Sequence, residues 1–502
     1  MSGALGYIPH MARLETPAAR IDRLLESGDA VGALLAADQF LAKAPNSFLG
    51  RLGRCRANIR LRNYIDAETD LALALSLAPR DESANLIRAT LDQRLGRTDE
   101  AIERFRAIAG GRSVHAPEAA FALAELYFNA GRRAEVAAMV AAGGAWLKDP
   151  RAAMSVARVR TDEDFDAGMD VYRAILRGRD PAILRRLAGF EAAGRLDKAG
   201  RYREAFEWAT ETHRTTGQIV EVESWLQPLQ ERRATLQKAS EICKPRVPKV
   251  EGVAIVAAMP RSGTTLVEMM LDRHPSIGGI GEFDGLTSIQ HALGGLPMWP
   301  RVPSATPASL LEAEQTRYVR GAQQIRKAGA SWTFDKSLLA WQVLVEIAVT
   351  LPGAVLINVE RDPRDLAISQ YMSFLNPIAY GWTSRLESIR RMIAFEREFV
   401  PEALTALGGE HGVLSYESFA YEDLVEDPAF FAHRCLTRMS LSMDDRVLSP
   451  EQSSRGAATL SSQQVKRPIN RSSIGRWKNY EWAFDDSWRT LADAHDARRS
   501  RG

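Results

Sequence analysis

The sequence predicts an all-α solenoid of stacked helix pairs, followed by an α/β domain built on a central parallel sheet. Three observations predict it. Residues 15 to 240 are rich in Ala, Leu, Arg and Glu and read as helices throughout. They also repeat with a period near 34 residues, the length of one helix pair. Beyond residue 253, short apolar runs alternate with amphipathic segments, as in a parallel sheet covered by helices on its faces.

The repeat is visible at its turns. Gly28-Asp29, Arg62-Asn63, Gly96-Arg97 and Gly131-Arg132 fall 34, 34 and 35 residues apart, and Gly200-Arg201 lies two periods further on. Each opens a similar small and apolar pattern, from DAVGALLAADQFL to RYREAFEWATE. Pro45, Pro79, Pro117, Pro150 and Pro181 close successive units. The pattern resembles the tetratricopeptide repeat, whose helix pairs cannot bury their apolar faces alone and stack into a solenoid with a concave groove. The stretch from Arg160 to Ala199 fits the period worst, so an irregularity is expected there. A groove of this kind predicts docking of a protein or peptide partner, and a homodimer through the same surface stays open. Residues 241–252 (EICKPRVPKVEG) carry two prolines and lose the period. They read as a linker between a helical domain over 15–240 and an α/β domain over 253–490.

Composition narrows the class. At 502 residues, 45% hydrophobic and 25% charged, the chain is long enough for two to four soluble domains. A net charge of +2 argues against a nucleic-acid partner and against a basic membrane patch. The opening MSGALGYIPHMARLETPAARI lacks the apolar core of a signal peptide, and no stretch reaches the length of a membrane span. A cytoplasmic protein without an integral membrane segment is expected. Cys55, Cys243 and Cys435 stand apart and are odd in number, which predicts reduced thiols. No cluster has metal-ligand spacing, so no metal is expected.

The α/β half is organised around VAIVAAMPRSGTTLVEMMLDRH, residues 253 to 274. The apolar run from Val253 to Ala258 predicts a strand buried on both faces. Leu266, Met269 and Met270 then separate from polar Glu268 and Asp272, as on an amphipathic helix. Between strand and helix lies Pro-Arg-Ser-Gly-Thr-Thr. A polar turn here points backbone N–H groups and the positive end of the helix dipole at one spot, and Arg261 adds a full charge. Ser262, Gly263, Thr264 and Thr265 complete a predicted phosphate or sulfate site. It is not a Walker A loop, because no lysine follows the glycine.

The loop resembles the 5′-phosphosulfate loop of sulfotransferases, in the form found in tyrosylprotein sulfotransferases and their bacterial relatives. The resemblance implies a P-loop-like fold, 3′-phosphoadenylyl sulfate as cosubstrate and no metal. Further positions match in order. Glu282 lies 21 residues after Arg261, where the family has its catalytic glutamate. A carboxylate can take the proton of an attacking phenol or alcohol. His274 is a rival base, since cytosolic sulfotransferases use a histidine. Lys336, after the strand-like SWTFD, resembles the lysine that stabilises the transferring sulfuryl group. Arg361 follows the strand AVLINVE, and Ser369 lies eight residues later, as in the family's 3′-phosphate site. The family has a further arginine where this chain has Ser373, and Arg364 is a candidate to compensate.

Tyr421 resembles the family tyrosine after a late strand, with Tyr416 as the other candidate. In the C-terminal segment, Ser461, Asn470 and Arg476 keep the family spacing for a serine assisting the transition state and for two nucleotide contacts. The resemblance therefore implies sulfuryl transfer to a hydroxyl or phenol of a protein tyrosine, a glycan or a small molecule. Arg261, Glu282, Lys336 and Ser461 carry the chemistry in that reading. A P-loop kinase and an inactive scaffold are the alternatives.

Overall fold

The computed structural model describes residues 15–61, 63–95, 97–217, 221–409, 412–453 and 468–499. By its contacts the chain divides into two compact units, one ending at Lys148 and one beginning at Asp149.

The first unit is helical. Among the described residues its α-helices are α1 (Pro17–Glu26), α2 (Ala30–Lys43), α3 (Phe48–Arg60), α4 (Tyr64–Leu77), α5 (Glu82–Arg94), α6 (Thr98–Ala109), α7 (Ala116–Asn129) and α8 (Arg133–Ala142). Each packs on its neighbour in sequence, and small residues such as Ala33, Ala37, Ala57, Ala67 and Ala74 are buried where helices meet. The second unit opens with α9 (Ala152–Glu163), α10 (Phe165–Arg177), α11 (Ala182–Lys198), α12 (Tyr202–Thr216), α13 (Glu223–Thr235) and α14 (Ala239–Ile242).

The sequence period has a backbone counterpart. Asp29, Asn63, Arg97, Arg132 and Arg201 each cap the N-terminus of a helix with φ between −80° and −86° and ψ between 60° and 76°. In all five the cap N–H donates to the carbonyl five residues back, at 2.8 to 2.9 Å. Gly28, Gly131 and Gly200 precede three of these caps with φ of 76° to 84°, which a Cβ would disfavour. The expected irregularity falls between α9 and α10. There a single residue, Asp164, ends one helix in extended backbone and caps the next.

The sheet has five parallel strands in the order β2-β3-β1-β4-β5. They are β1 (Val253–Ala257), β2 (Ile277–Gly279), β3 (Trp332–Asp335), β4 (Val355–Glu360) and β5 (Ser415–Ala420). The further α-helices among the described residues of this unit are α15 (Thr264–Asp272), α16 (Gly285–Gly294), α17 (Ala308–Ile325), α18 (Leu344–Thr350), α19 (Pro363–Tyr371), α20 (Pro377–Tyr380), α21 (Leu386–Leu407), α22 (Tyr421–Glu426), α23 (Pro428–Arg438) and α24 (Ser487–Arg499).

Strand β1 is apolar at every position because both its faces are covered. Val253, Ile255 and Ala257 enter one core with residues of α16, α18, α19 and α21, continuous with the cores of α9 to α13. Ala254 and Val256 enter the other, with Val267 and Met270 of α15, Leu424 of α22 and Phe431 of α23. Residues 241–252 lie on this body: Val247 and Val250 are buried, and the Val250 N–H donates to the Pro352 carbonyl at 2.7 Å.

Two local expectations are corrected. The sequence after Lys336 reads as a helix from Leu338 to Leu351, but the α-helix begins only at Leu344, since residues 340–342 form a 3₁₀ turn that buries Trp341. Glu268 and Asp272 are buried, not on a wetted helix face. They accept backbone N–H groups, Gly281 onto Glu268 Oε1 and Gly279 onto Asp272 Oδ1, each at 2.7 Å.

Candidate active site

Strand order reverses at β1, which lies between β3 and β4. Open parallel sheets bind ligands at such a switch point, beyond the strands' carboxyl ends. Each of the five strands leads there into a residue singled out by the sequence: Arg261 after β1, Glu282 after β2, Lys336 after β3, Arg361 after β4 and Tyr421 after β5.

The β1 loop holds an unusual backbone. Arg261 has φ 76° and Gly263 φ 98°, so the turn passes twice through the left-handed region before α15 begins at Thr264. For arginine this costs on the order of 1–2 kcal/mol, which the surrounding structure must offset. The loop is braced by β4 and α19. Gln370 Nε2 donates to the Pro260 carbonyl at 2.9 Å, and Arg361 Nη1 donates to the Arg261 carbonyl at 3.0 Å. Arg261 Nε donates to Ser369 Oγ at 3.0 Å. Ser262, Thr264 and Thr265 are buried.

Tyr421, not Tyr416, is the tyrosine at this loop. Its ring covers Gly263 so closely that a Cβ there would lie 2.4 Å from Cδ2, and the Arg361 guanidinium stands 5.1 Å from the ring centroid. Tyr416 lies on β5, opposite Leu356 and against Gly408.

Three guanidinium groups meet here. Burial, reinforced by Arg361 and then Arg476, brings Arg261 down to about 10. Arg361 is buried, and its Nε has no hydrogen-bond partner among the described residues. A buried N–H donor left unpaired beside a second, half-buried arginine fits an anionic ligand. Arg476 arrives from the C-terminal segment. That segment is pinned by Asp365 of α19, which accepts the N–H groups of Gly475 and Trp477 at 2.7 Å each. Arg361 Nη2 also donates to the Ser473 carbonyl. Arg364 turns elsewhere: it pairs with Asp362 at 2.7 Å and stacks 3.7 Å from the Trp477 ring centroid. Ser373 donates to the Ser369 carbonyl at 2.6 Å.

On the β3 side, Lys336 is 1% exposed and Nζ donates to Glu282 Oε1 at 2.7 Å. The pair is set by the backbone, because the Lys336 N–H donates to the Gly281 carbonyl at 3.0 Å. Gly281 is in turn held by Glu268. The Glu282 side chain keeps 44% of its exposure, so the carboxylate reaches solvent where the lysine does not. Tyr380 lies nearby; burial first, and the Glu282 charge second, push its phenol up. Asp335 is buried behind Lys336. Burial pushes it up to about 7 despite the Tyr318 hydroxyl and the Ser337 N–H that it accepts.

Other candidates are placed differently. His274 is buried, with Nε2 3.2 Å from the Ser442 carbonyl and Nδ1 accepting the Ser276 N–H, so both ring nitrogens serve the fold. Asn470 is exposed and bonded within its own turn, to Pro468 and Ser472. Ser461 lies outside the described residues. Glu268, Asp365 and Gln370 went unrecognised in the sequence. The signal for Glu268 was its four-residue spacing to Asp272 on a helix followed by a glycine-rich strand.

Among the described residues, no group of three or more His, Cys, Asp or Glu side chains is placed to hold a metal ion. No helix among them is long and apolar enough to cross a membrane.

A curated relative, an uncharacterized protein of Aquifex aeolicus (strain VF5), is 25% identical over 353 residues, 66% of this chain and 45% of that protein. The chain thus spans less than half the length of that relative. Among solved structures, a sulfotransferase domain from the curacin biosynthetic pathway is 17% identical, covering 50% of this chain and 99% of its own, with a TM-score of 0.35. A sulfotransferase domain from the Synechococcus PCC 7002 olefin synthase is 19% identical, covering 48% and 98%, with a TM-score of 0.31. Residues 254–445 match the model of the sulfotransferase family, from β1 past α23, and this stretch is therefore a sulfotransferase-family domain.

Proposed function

We propose that the chain is a sulfotransferase that moves a sulfuryl group from 3′-phosphoadenylyl sulfate to a hydroxyl or phenol. The observation that carries this reading is the meeting of Arg261, Arg361, Lys336 and Glu282 at the carboxyl ends of four adjacent strands, within the segment matched by the family. Arg361 and Ser369 would hold the 3′-phosphate. The loop amides of residues 262–265 and Arg261 would hold the 5′-phosphosulfate, with Tyr421 and Arg476 bordering the nucleotide. The nucleotide supplies an activated sulfuryl group on a good leaving anion.

Glu282 supplies the base. Its carboxylate is accessible, and it can receive the acceptor's proton as the oxygen attacks. Lys336, almost fully buried, presents its ammonium to the same point and offsets negative charge developing there. The hydrogen bond between the two fixes their separation before any substrate enters. Ser461 is retained as an assisting hydroxyl on family spacing alone. The mechanism resembles that of the tyrosylprotein branch, while a protein tyrosine, a glycan hydroxyl and a small phenol all fit a carboxylate base; the helical part is read as tetratricopeptide pairs that dock a protein or peptide. Three unpaired cysteines fit a cytoplasmic setting.

The test is release of adenosine 3′,5′-bisphosphate when the cosubstrate is offered with a panel of phenols and alcohols. Glu282→Ala should bind the nucleotide and release none. Near-wild-type turnover by that variant would remove Glu282 from the base's role.

A further inference from the structure

The helical segment that precedes the sheet reaches the nucleotide site itself. At the end of α11, Asp197 Oδ2 pairs with Arg476 Nη2 at 2.8 Å, and Oδ1 accepts the Tyr480 hydroxyl at 2.5 Å. Both partners belong to the C-terminal segment 468–484. Tyr480 is fully buried, edge-on to Tyr202 at the start of α12 with centroids 5.6 Å apart. Arg203 stands 4.8 Å from the Trp482 ring, and Phe206 packs on Tyr371, Tyr480 and Trp482. On the other side, Ser473, Gly475 and Trp477 are tied to Arg361 and Asp365. The segment is thus clamped between α11–α12 and α19, with Arg476 in the middle.

The repeat pattern marks Asp197 as a departure. Four residues before the helix caps Asp29, Asn63, Arg97 and Arg132 stand Leu25, Ile59, Gln93 and Phe128; before Arg201 stands Asp197. Only this turn of the five carries a charge there.

We propose that Asp197 is a positioning residue that fastens the C-terminal segment over the anion site and holds Arg476 toward Arg261 and Arg361. The proposal rests on the nucleotide reading given above. Without the carboxylate, Arg476 and Tyr480 must be ordered by the nucleotide as it binds, and that ordering is charged against affinity. The loss of a nearby negative charge acts in the opposite direction. The ordering term is the larger one here because a single carboxylate holds two side chains of the segment at once.

The experiment is calorimetric titration of the full chain with adenosine 3′,5′-bisphosphate. Asp197→Ala should weaken binding about tenfold, equal to 1.4 kcal/mol. Asp197→Glu should restore most of it, and in an Arg476→Ala background Asp197→Ala should add little, since the two act as a unit. If the alanine variant does not fold, Asp197→Asn, which keeps the shape and the Tyr480 acceptor but loses the Arg476 ion pair, should weaken binding by a smaller factor, and unchanged or tighter binding by it would overturn the proposal equally. Unchanged or tighter binding by Asp197→Ala, or full additivity with Arg476→Ala, would overturn the proposal. If the unsubstituted chain bound no bisphosphate, the nucleotide reading beneath it would fall instead.

Discussion

Gly263→Ala tests whether the β1 loop is built as a close cradle. The residue sits at φ 98°, and a Cβ there would lie 2.4 Å from Cδ2 and 2.7 Å from Cε2 of Tyr421. The left-handed backbone costs alanine about 1–2 kcal/mol. Forcing a methyl into a filled site costs about 1–3 kcal/mol more. The sum, about 2–5 kcal/mol, is a large share of a domain's stability. Relief requires the Tyr421 ring to move, and the Arg361 guanidinium stacked 5.1 Å from its centroid must move with it. The urea midpoint should therefore fall and bisphosphate affinity should drop in the same variant. In a Tyr421→Ala background the clash is gone, and Gly263→Ala should cost only the backbone term of about 1–2 kcal/mol. A Gly263→Ala chain as stable as the parent, or one with the same penalty in both backgrounds, would refute the reasoning.

Three further outcomes are expected. Glu282→Gln should lower kcat by roughly 10²–10⁴-fold, the usual share of a general base, with nucleotide affinity held; loss of affinity instead would show that the residue binds. Arg361→Lys should weaken bisphosphate binding nearly as much as Arg361→Ala, because a lysine cannot reproduce a planar guanidinium against Tyr421 and the Arg261 carbonyl. Full retention by the lysine variant would mean that charge alone suffices.

The third concerns acid. Burial holds His213 at about 4 against an ordinary 6.5, although the Tyr371 carbonyl it meets at 2.9 Å opposes the shift and Arg186 adds to it. Between those two values the unfolded chain binds a proton that the folded chain does not, so stability is lost as pH falls from 6.5 toward 4. The contribution is about 3 kcal/mol, and His213→Gln should flatten this part of the stability curve. An unaltered slope in the variant would assign the acid sensitivity elsewhere.

Local chemistry made the candidate site legible. A double-sided apolar strand, a polar turn with one glycine and a helix start occupy consecutive residues, so Arg261 to Thr265 could be read without knowing the sheet order. Glu282, Lys336 and Arg361 follow strands directly, and parallel strands deliver their carboxyl-end residues to one edge. The repeat was legible for the same reason, since five turns of one geometry need five similar short sequences.

What was missed is non-local or depends on an invisible partner. Periodicity separated Glu268 and Asp272 from their apolar neighbours, yet it cannot tell water from a backbone amide as the partner of a carboxylate. Asp197 is separated from Tyr480 by 283 residues, and nothing near it in sequence announces the contact. Asp365 looked like an ordinary acid in a first helical turn; its role is to hold two amides of the C-terminal segment.

The most direct test is calorimetric titration of the chain with adenosine 3′,5′-bisphosphate, beside ATP with magnesium. The account predicts saturable binding of the bisphosphate that needs no metal and is weakened by Arg361→Ala. No bisphosphate binding, or a clear preference for magnesium-ATP, would contradict it.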